Sequence, residues 1–106
     1  MAQFDVHRNS GKHSNDIPFV VVVQSSLFDD YRRRVVVPLV RKSALGKTVH
    51  SGFNPTFKIL GTAVVLHPLE IVSVSIDQLG ASVGSLNAEG TRIMAALDEL
   101  FSQAWK

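Results

Sequence analysis

Residues 19–39 constrain the fold most, because they hold two valine-rich runs joined by a polar, charged connection. The runs cover residues 20–23 and 35–37, and their β-branched side chains favour a pleated, buried setting. Neither run alternates apolar with polar residues, as a strand with one wet face would. The pattern predicts a central hairpin covered on both faces, with a helix or another subunit as the second cover.

Composition limits the classes of protein that this chain can belong to. Its 106 residues are 45% apolar, which suits one domain with a modest core and favours a dimer interface as added cover. The formal charge of +2 does not indicate a nucleic-acid-binding surface. The absence of cysteine excludes disulfides and thiolate metal sites. No signal-peptide pattern and no apolar run near about 20 residues occurs, so we expect a soluble cytoplasmic protein without membrane contact.

The remaining pattern predicts short strands followed by one helix. Alternating or β-branched stretches predict further strands, and glycine or polar clusters predict loops. The strands are expected at residues 3–7, 18–23, 34–40, 57–60, 63–66 and 71–76, with loops at 8–16 and 79–84. Pro38 predicts an edge position or a bulge in its strand, since proline donates no backbone hydrogen bond.

The last part of the chain changes to a helical period. Apolar residues recur at three- and four-residue spacings from about residue 88 to 104, namely Ile93, Met94, Leu97, Leu100, Phe101 and Ala104. This predicts an amphipathic helix whose apolar stripe faces the sheet. The fold class is therefore mainly β, a small antiparallel barrel or open sheet with a C-terminal helix.

Catalytic and metal-binding patterns are weak. His7, His13, His50 and His67 lack the spacing of metal ligands, and neither a phosphate-binding glycine loop nor a nucleophile elbow occurs. We therefore expect no enzyme activity, no metal and no cofactor. One enzymatic alternative stays open, in which His13 and the arginines at 32–34 act as base and cations in RNA cleavage.

The connection between the two valine runs holds candidate binding residues. Leu27 and Phe28 form a partner patch if they are exposed, or a small core if they fold back. Arg32, Arg33 and Arg34 follow two aspartates, so they form either a self-paired solvated loop or a surface for an acidic partner.

Several strings occur in the order and near the spacing of one known family. They are Gln-Phe-Asp-Val at 3–6, Val-Gln-Ser at 23–25, Arg-Arg-Val-Val-Val-Pro-Leu at 33–39, Val-Ser-Val-Ser at 72–75 and a helix ending in Phe near a Trp. Over essentially its whole length the chain resembles the CcdB toxins of toxin–antitoxin pairs.

The resemblance implies an SH3-like barrel related to the MazF/Kid toxins, assembled as a homodimer. It implies a non-enzymatic toxin that binds the A subunit of DNA gyrase and traps the gyrase–DNA complex, meeting DNA only through gyrase or the antitoxin. The disordered tail of a CcdA-like antitoxin would neutralise it. A MazF-like endoribonuclease on the same fold and a non-toxic homologue are the alternatives.

The resemblance also implies site residues. The gyrase contacts fall on Leu27, Phe28, Asp98, Phe101, Trp105 and Lys106, and the antitoxin contacts on Arg32, Arg33 and Arg34. Trp105 acts either as a binding anchor or as a cap on the apolar helix face. Where the family ends in Trp-Gly-Ile directly after the helix Phe, this chain has Ser-Gln-Ala-Trp-Lys at 102–106. This difference predicts weak or no gyrase binding, compared with a member that keeps the usual tip.

Overall fold

The computed structural model describes residues 2–46 and 50–102. Seven strands and one helix account for the regular structure, and short 3-10 turns connect several of them. The elements are β1 (Asp5–Asn9), β2 (Phe19–Val22), β3 (Arg33–Arg41), β4 (Thr56–Ile59), β5 (Thr62–Leu66), β6 (Val72–Ser75), β7 (Leu79–Ser85) and α1 (Gly90–Ser102). No helix in this part of the chain is long and apolar enough to cross a membrane.

All seven strands belong to one antiparallel sheet, which curls into a half-barrel and carries the C-terminal helix. The strands lie in the order β4-β5-β3-β2-β1-β7, and β6 adds to the part of β3 that β5 leaves unpaired. The predicted mainly β, antiparallel architecture with a terminal helix is confirmed. Of the two forms that the pattern allowed, the described strands adopt the open, curled sheet.

Both faces of the central hairpin are buried, as the valine runs predicted. On one face Val21, Val37 and Leu39 pack with Ile93 and other residues of α1 in the main core. On the opposite face, whose residues alternate with these, Val22 and Val36 are also almost fully buried. A single copy of the chain achieves this burial, so Val22 and Val36 need no second subunit as cover.

Pro38 lies in a central strand, so the prediction of an edge or bulge is wrong. Its carbonyl accepts a hydrogen bond from the His67 N–H at 3.1 Å, on the side of β3 that faces β5 and β6. The pairing of β3 with β6 ends at Val36, and its pairing with β5 begins at Leu39. Proline fits there because β3 changes partners at that point, so no ladder hydrogen bond needs the missing N–H.

Residues 79–84 form most of strand β7, so the prediction of a flexible connection is also wrong. The strand pairs with β1 through two register shifts. Gly80 is required there, because a Cβ would lie 2.6 Å from the carbonyl oxygen of Arg8. The strand contains glycine because two backbones approach each other closely here. In the sequence alone, the same glycine-rich stretch is typical of a loop.

Candidate binding surface

The connection between β2 and β3 exposes three large apolar side chains. Leu27 is 85% exposed, Phe28 50% and Tyr31 66%, and we refer to these three residues as the loop patch. The rings of Phe28 and Tyr31 lie 6.3 Å apart between centroids, at an angle of 52°. The alternative in which Leu27 and Phe28 fold back into a small core is therefore wrong.

The loop patch lies on an ordered turn. Ser26–Phe28 form a 3-10 turn, and the Oγ of Ser25 accepts a hydrogen bond from the N–H of Leu27 at 3.2 Å. The side chains of Gln24 and Arg34 lie beside this turn and donate hydrogen bonds to carbonyl oxygens of the connection. The exposed side chains of the loop patch thus lie on a loop that forms many internal hydrogen bonds.

The three consecutive arginines have different environments. Arg32 forms an exposed ion pair with Asp77 at 2.9 Å. Arg33 is exposed and donates to the Oγ of Ser73 at 2.8 Å and to its carbonyl oxygen at 2.7 Å. Arg34 is only 5% exposed, and its guanidinium donates within the loop. Of the predicted antitoxin residues, Arg32 and Arg33 are open to a partner, whereas Arg34 is already engaged.

A shallow groove of about 400 Å³ joins the loop patch to these arginines. Its walls are apolar and cationic, from Gln24, Phe28, Tyr31, Arg32, Arg33 and Val35. The groove can therefore take an apolar side chain of a partner together with an adjacent acidic group.

Helix α1 presents a second exposed face. The predicted apolar stripe splits, because Ile93 and Leu97 are buried whereas Met94 and Phe101 are 41% and 64% exposed. Met94, Asp98 and Phe101 follow one another at i, i+4 and i+7, so they share one face, which we call the helix ridge. Trp105 and Lys106 lie outside the described residues.

The N-terminal segment lies between the loop patch and the start of the helix. The Gln3 N–H donates to the Oγ of Ser26 at 3.4 Å, and the Phe4 ring packs on Gly90. From Gly90 the helix rises about 12 Å to Asp98 and about 16 Å to Phe101. A groove along this face is lined by Phe4, Asn87, Gly90, Thr91, Met94, Ala95 and Asp98. The N-terminal segment thus contacts both the turn that carries the loop patch and the first residue of α1.

Sequence reasoning missed two residues of these surfaces, Tyr31 and Met94. Tyr31 follows Phe28 by one turn of a tight loop, a spacing at which two rings can meet. Met94 was assigned to the buried stripe, because the spacing alone does not show how wide a stripe the sheet covers.

The residues considered for RNA cleavage line two different cavities. His13 lines a different cavity of about 220 Å³, whose floor includes Val20 and Val36, while Arg32 and Arg33 line the groove beside the loop patch. Within residues 2–46 and 50–102, no three histidine or acidic side chains gather as metal ligands would.

Comparison with protein-family models places the chain beside known proteins. A model of the CcdB protein family matches residues 3–102. The matched range includes the loop patch, the three arginines and the helix ridge. A search of curated proteins found no match.

Proposed function

The chain belongs to the CcdB family, which indicates a toxin of a toxin–antitoxin system, and we propose that it acts by binding the A subunit of DNA gyrase rather than by catalysis. In this proposal the toxin holds gyrase on cleaved DNA and meets DNA only through its protein partners. In this proposal, three surfaces of the protein contact its partners. The loop patch anchors gyrase, the helix ridge extends the contact, and the exposed arginines receive the antitoxin.

The observation that carries the proposal is the exposure of Leu27 on an ordered turn. An apolar side chain that is 85% exposed gains much from burial against a partner. The turn is capped by Ser25 before any partner binds, so less ordering entropy opposes association. Aromatic neighbours on the same turn complete a cluster of the kind that dominates protein interfaces.

The helix ridge supports the second contact. Met94 and Phe101 are apolar and exposed, and Asp98 places a carboxylate between them on the same face. A surface with apolar ends and a charged centre fits a partner that offers both apolar and donor groups. We propose that two copies of the chain form a homodimer, which would present two such ridges to one target.

Arg32 and Arg33 support the antitoxin contact. The ion pair between Arg32 and Asp77 is exposed on both sides, with 73% and 72% of the side chains accessible, so it contributes little stability by itself. An acidic segment of a CcdA-like antitoxin could replace Asp77 at small cost and form charge-assisted hydrogen bonds. Since this groove borders the loop patch, a bound antitoxin would also compete with gyrase for it.

The experiment is a titration of the purified protein with the gyrase A subunit, together with a gyrase supercoiling assay. We expect the native chain to bind more weakly than a variant with Trp-Gly-Ile in place of residues 102–106. Leu27→Asp should abolish binding in both backgrounds. Absence of gyrase binding in both backgrounds would refute gyrase as the target, and binding unchanged by Leu27→Asp would show that the loop patch is not the contact.

A further inference from the structure

We propose that Gln24 and Arg34 are positioning residues for target binding, which hold the loop patch in its binding conformation without touching the target. The inference rests on the proposed binding function and deepens it. It identifies the two side chains that order the anchors before a partner arrives.

Arg34 holds the connection between β2 and β3 through hydrogen bonds to backbone carbonyl groups. Its guanidinium donates from Nη1 to the carbonyl oxygens of Tyr31 at 2.5 Å and Arg33 at 2.9 Å, and from Nη2 to that of Asp29 at 3.0 Å. Its Nε lies 3.8 Å from the nearer carboxylate oxygen of Asp29 and has no hydrogen-bond partner. The backbone carbonyls, more than the carboxylate, are therefore what this buried cation recognises.

Gln24 holds the same connection from the end of β2. Its Nε2 donates to the carbonyl oxygens of Phe28 at 3.1 Å and Arg33 at 3.2 Å. Its Oε1 accepts a hydrogen bond from the Val35 N–H at 3.0 Å. Gln24 and Arg34 thus converge on one carbonyl oxygen, that of Arg33, and together they reach the carbonyls of Phe28, Asp29 and Tyr31.

These hydrogen bonds fix the backbone of the segment that carries the loop patch. The connection between β2 and β3 lies outside the strand pairs, and besides its own backbone hydrogen bonds it relies on side chains to satisfy several of its carbonyl groups. Two of the three anchors, Phe28 and Tyr31, have their own carbonyls held in this way, and Leu27 lies directly before them. Ordering the backbone within the free protein removes that entropy loss from the binding step.

The burial of Arg34 distinguishes a positioning role from direct contact with the target. Arg34 is 5% exposed, so a partner docked on the loop patch cannot reach its guanidinium. Any effect of Arg34 on binding must therefore pass through the loop. Lysine cannot replace it, because one ammonium cannot reach carbonyls that the planar guanidinium serves in two directions.

The test uses Arg34→Lys and Gln24→Glu in the full chain. Glutamate keeps the acceptor for Val35 but places an anionic oxygen against the carbonyls of Phe28 and Arg33. The matched controls are Arg41→Lys and Gln78→Glu. Arg41 donates one hydrogen bond to the Asn15 carbonyl at the far end of β3, and Gln78 uses only its amide oxygen, which glutamate retains.

The first readout is amide hydrogen exchange of the free protein. Both test variants should exchange at least about tenfold faster at residues 27–31, with residues 36–39 of β3 unchanged, and the controls should match the native chain. The second readout is affinity for the gyrase A subunit, which should fall about tenfold in the test variants. In a Leu27→Ala background the same changes should cause little further loss, because they act through the anchor.

Three results would overturn the inference. One is unchanged exchange at residues 27–31, and another is faster exchange with unchanged affinity. The third is a loss that adds fully to that of Leu27→Ala, which would indicate general destabilisation. If neither the native chain nor its Trp-Gly-Ile variant binds gyrase A, the gyrase proposal fails, and hydrogen exchange alone then decides whether Gln24 and Arg34 order the loop.

Discussion

The ring of Phe4 lies so close to Gly90 that a Cβ on the glycine would be 2.7 Å from its Cε2 atom. Phe4 reaches this position with a φ of 71°, its N–H donating to the Val22 carbonyl at 2.6 Å and its carbonyl accepting from the Leu86 N–H at 2.8 Å. A bulky residue rarely adopts that backbone conformation without support from its surroundings. Phe4 thus connects the sheet to the first residue of α1, beside the turn that carries the loop patch.

Gly90→Ala should therefore destabilise the protein. Alanine is favoured in a helix by about 1 kcal/mol, but here its Cβ requires the buried Phe4 ring to move, and overpacking of this kind costs about 1–3 kcal/mol. We expect a net loss of stability in denaturant unfolding. Gly84→Ala is the control, because its Cβ would meet no atom within 4 Å and should change stability by under about 0.5 kcal/mol. A more stable Gly90→Ala protein would contradict the packing described for Phe4.

Leu27→Asp and Phe28→Asp should remove target binding but leave the fold intact. Both side chains are exposed, so each change should alter the free energy of unfolding by under about 1 kcal/mol. Leu39→Ala, a truncation in the core, should instead lose about 2–5 kcal/mol. Unfolding curves and gyrase titrations on the same samples separate the two effects. A loss of about 2 kcal/mol or more at Leu27 or Phe28 would assign that residue to the core.

The two sides of α1 should respond differently to truncation. Phe101→Ala should change stability by under about 1 kcal/mol and weaken target binding, since the ring is 64% exposed. Ile93→Ala should lower stability by about 2–5 kcal/mol, because its side chain is fully buried in the core. Similar losses of stability in both variants would show that the helix ridge packs against the protein itself.

The free protein should sediment at twice the chain mass at micromolar concentration. The reason lies in the size of the chain, because the modest core of 106 residues gains cover when a second copy packs against it. Sedimentation velocity at several concentrations measures this directly. A single species at the mass of one chain would contradict the homodimer.

Purified protein should leave single-stranded RNA intact, with and without added divalent metal. His13 lines one cavity, whereas Arg32 and Arg33 line another, so the base and the cations proposed for RNA cleavage do not share a cavity. Gel analysis of RNA after long incubation tests this. Cleavage that disappears in both His13→Ala and Arg33→Ala would favour the endoribonuclease alternative.

The sequence by itself determined the elements whose signals are local. β-branched runs predicted the central hairpin, and a 3.6-residue period predicted the helix, whose start lies within two residues of the predicted one. The joint occurrence of several short strings, followed by a helix ending in Phe near a Trp, also indicated the family, which a family model matches over residues 3–102. These features depend on neighbours in the chain, so the sequence records them directly.

Only the tertiary structure decided which of several similar residues face a partner. Arg32, Arg33 and Arg34 are the same residue type, yet Arg34 alone is buried, on the face of β3 that Val36 shares and opposite the face of the main core. Likewise, the width of the sheet leaves Met94 and Phe101 uncovered, and the close approach of β1 turns the glycine-rich residues 79–85 into a strand. Each outcome depends on pairing between segments far apart in the chain, which local periodicity does not record.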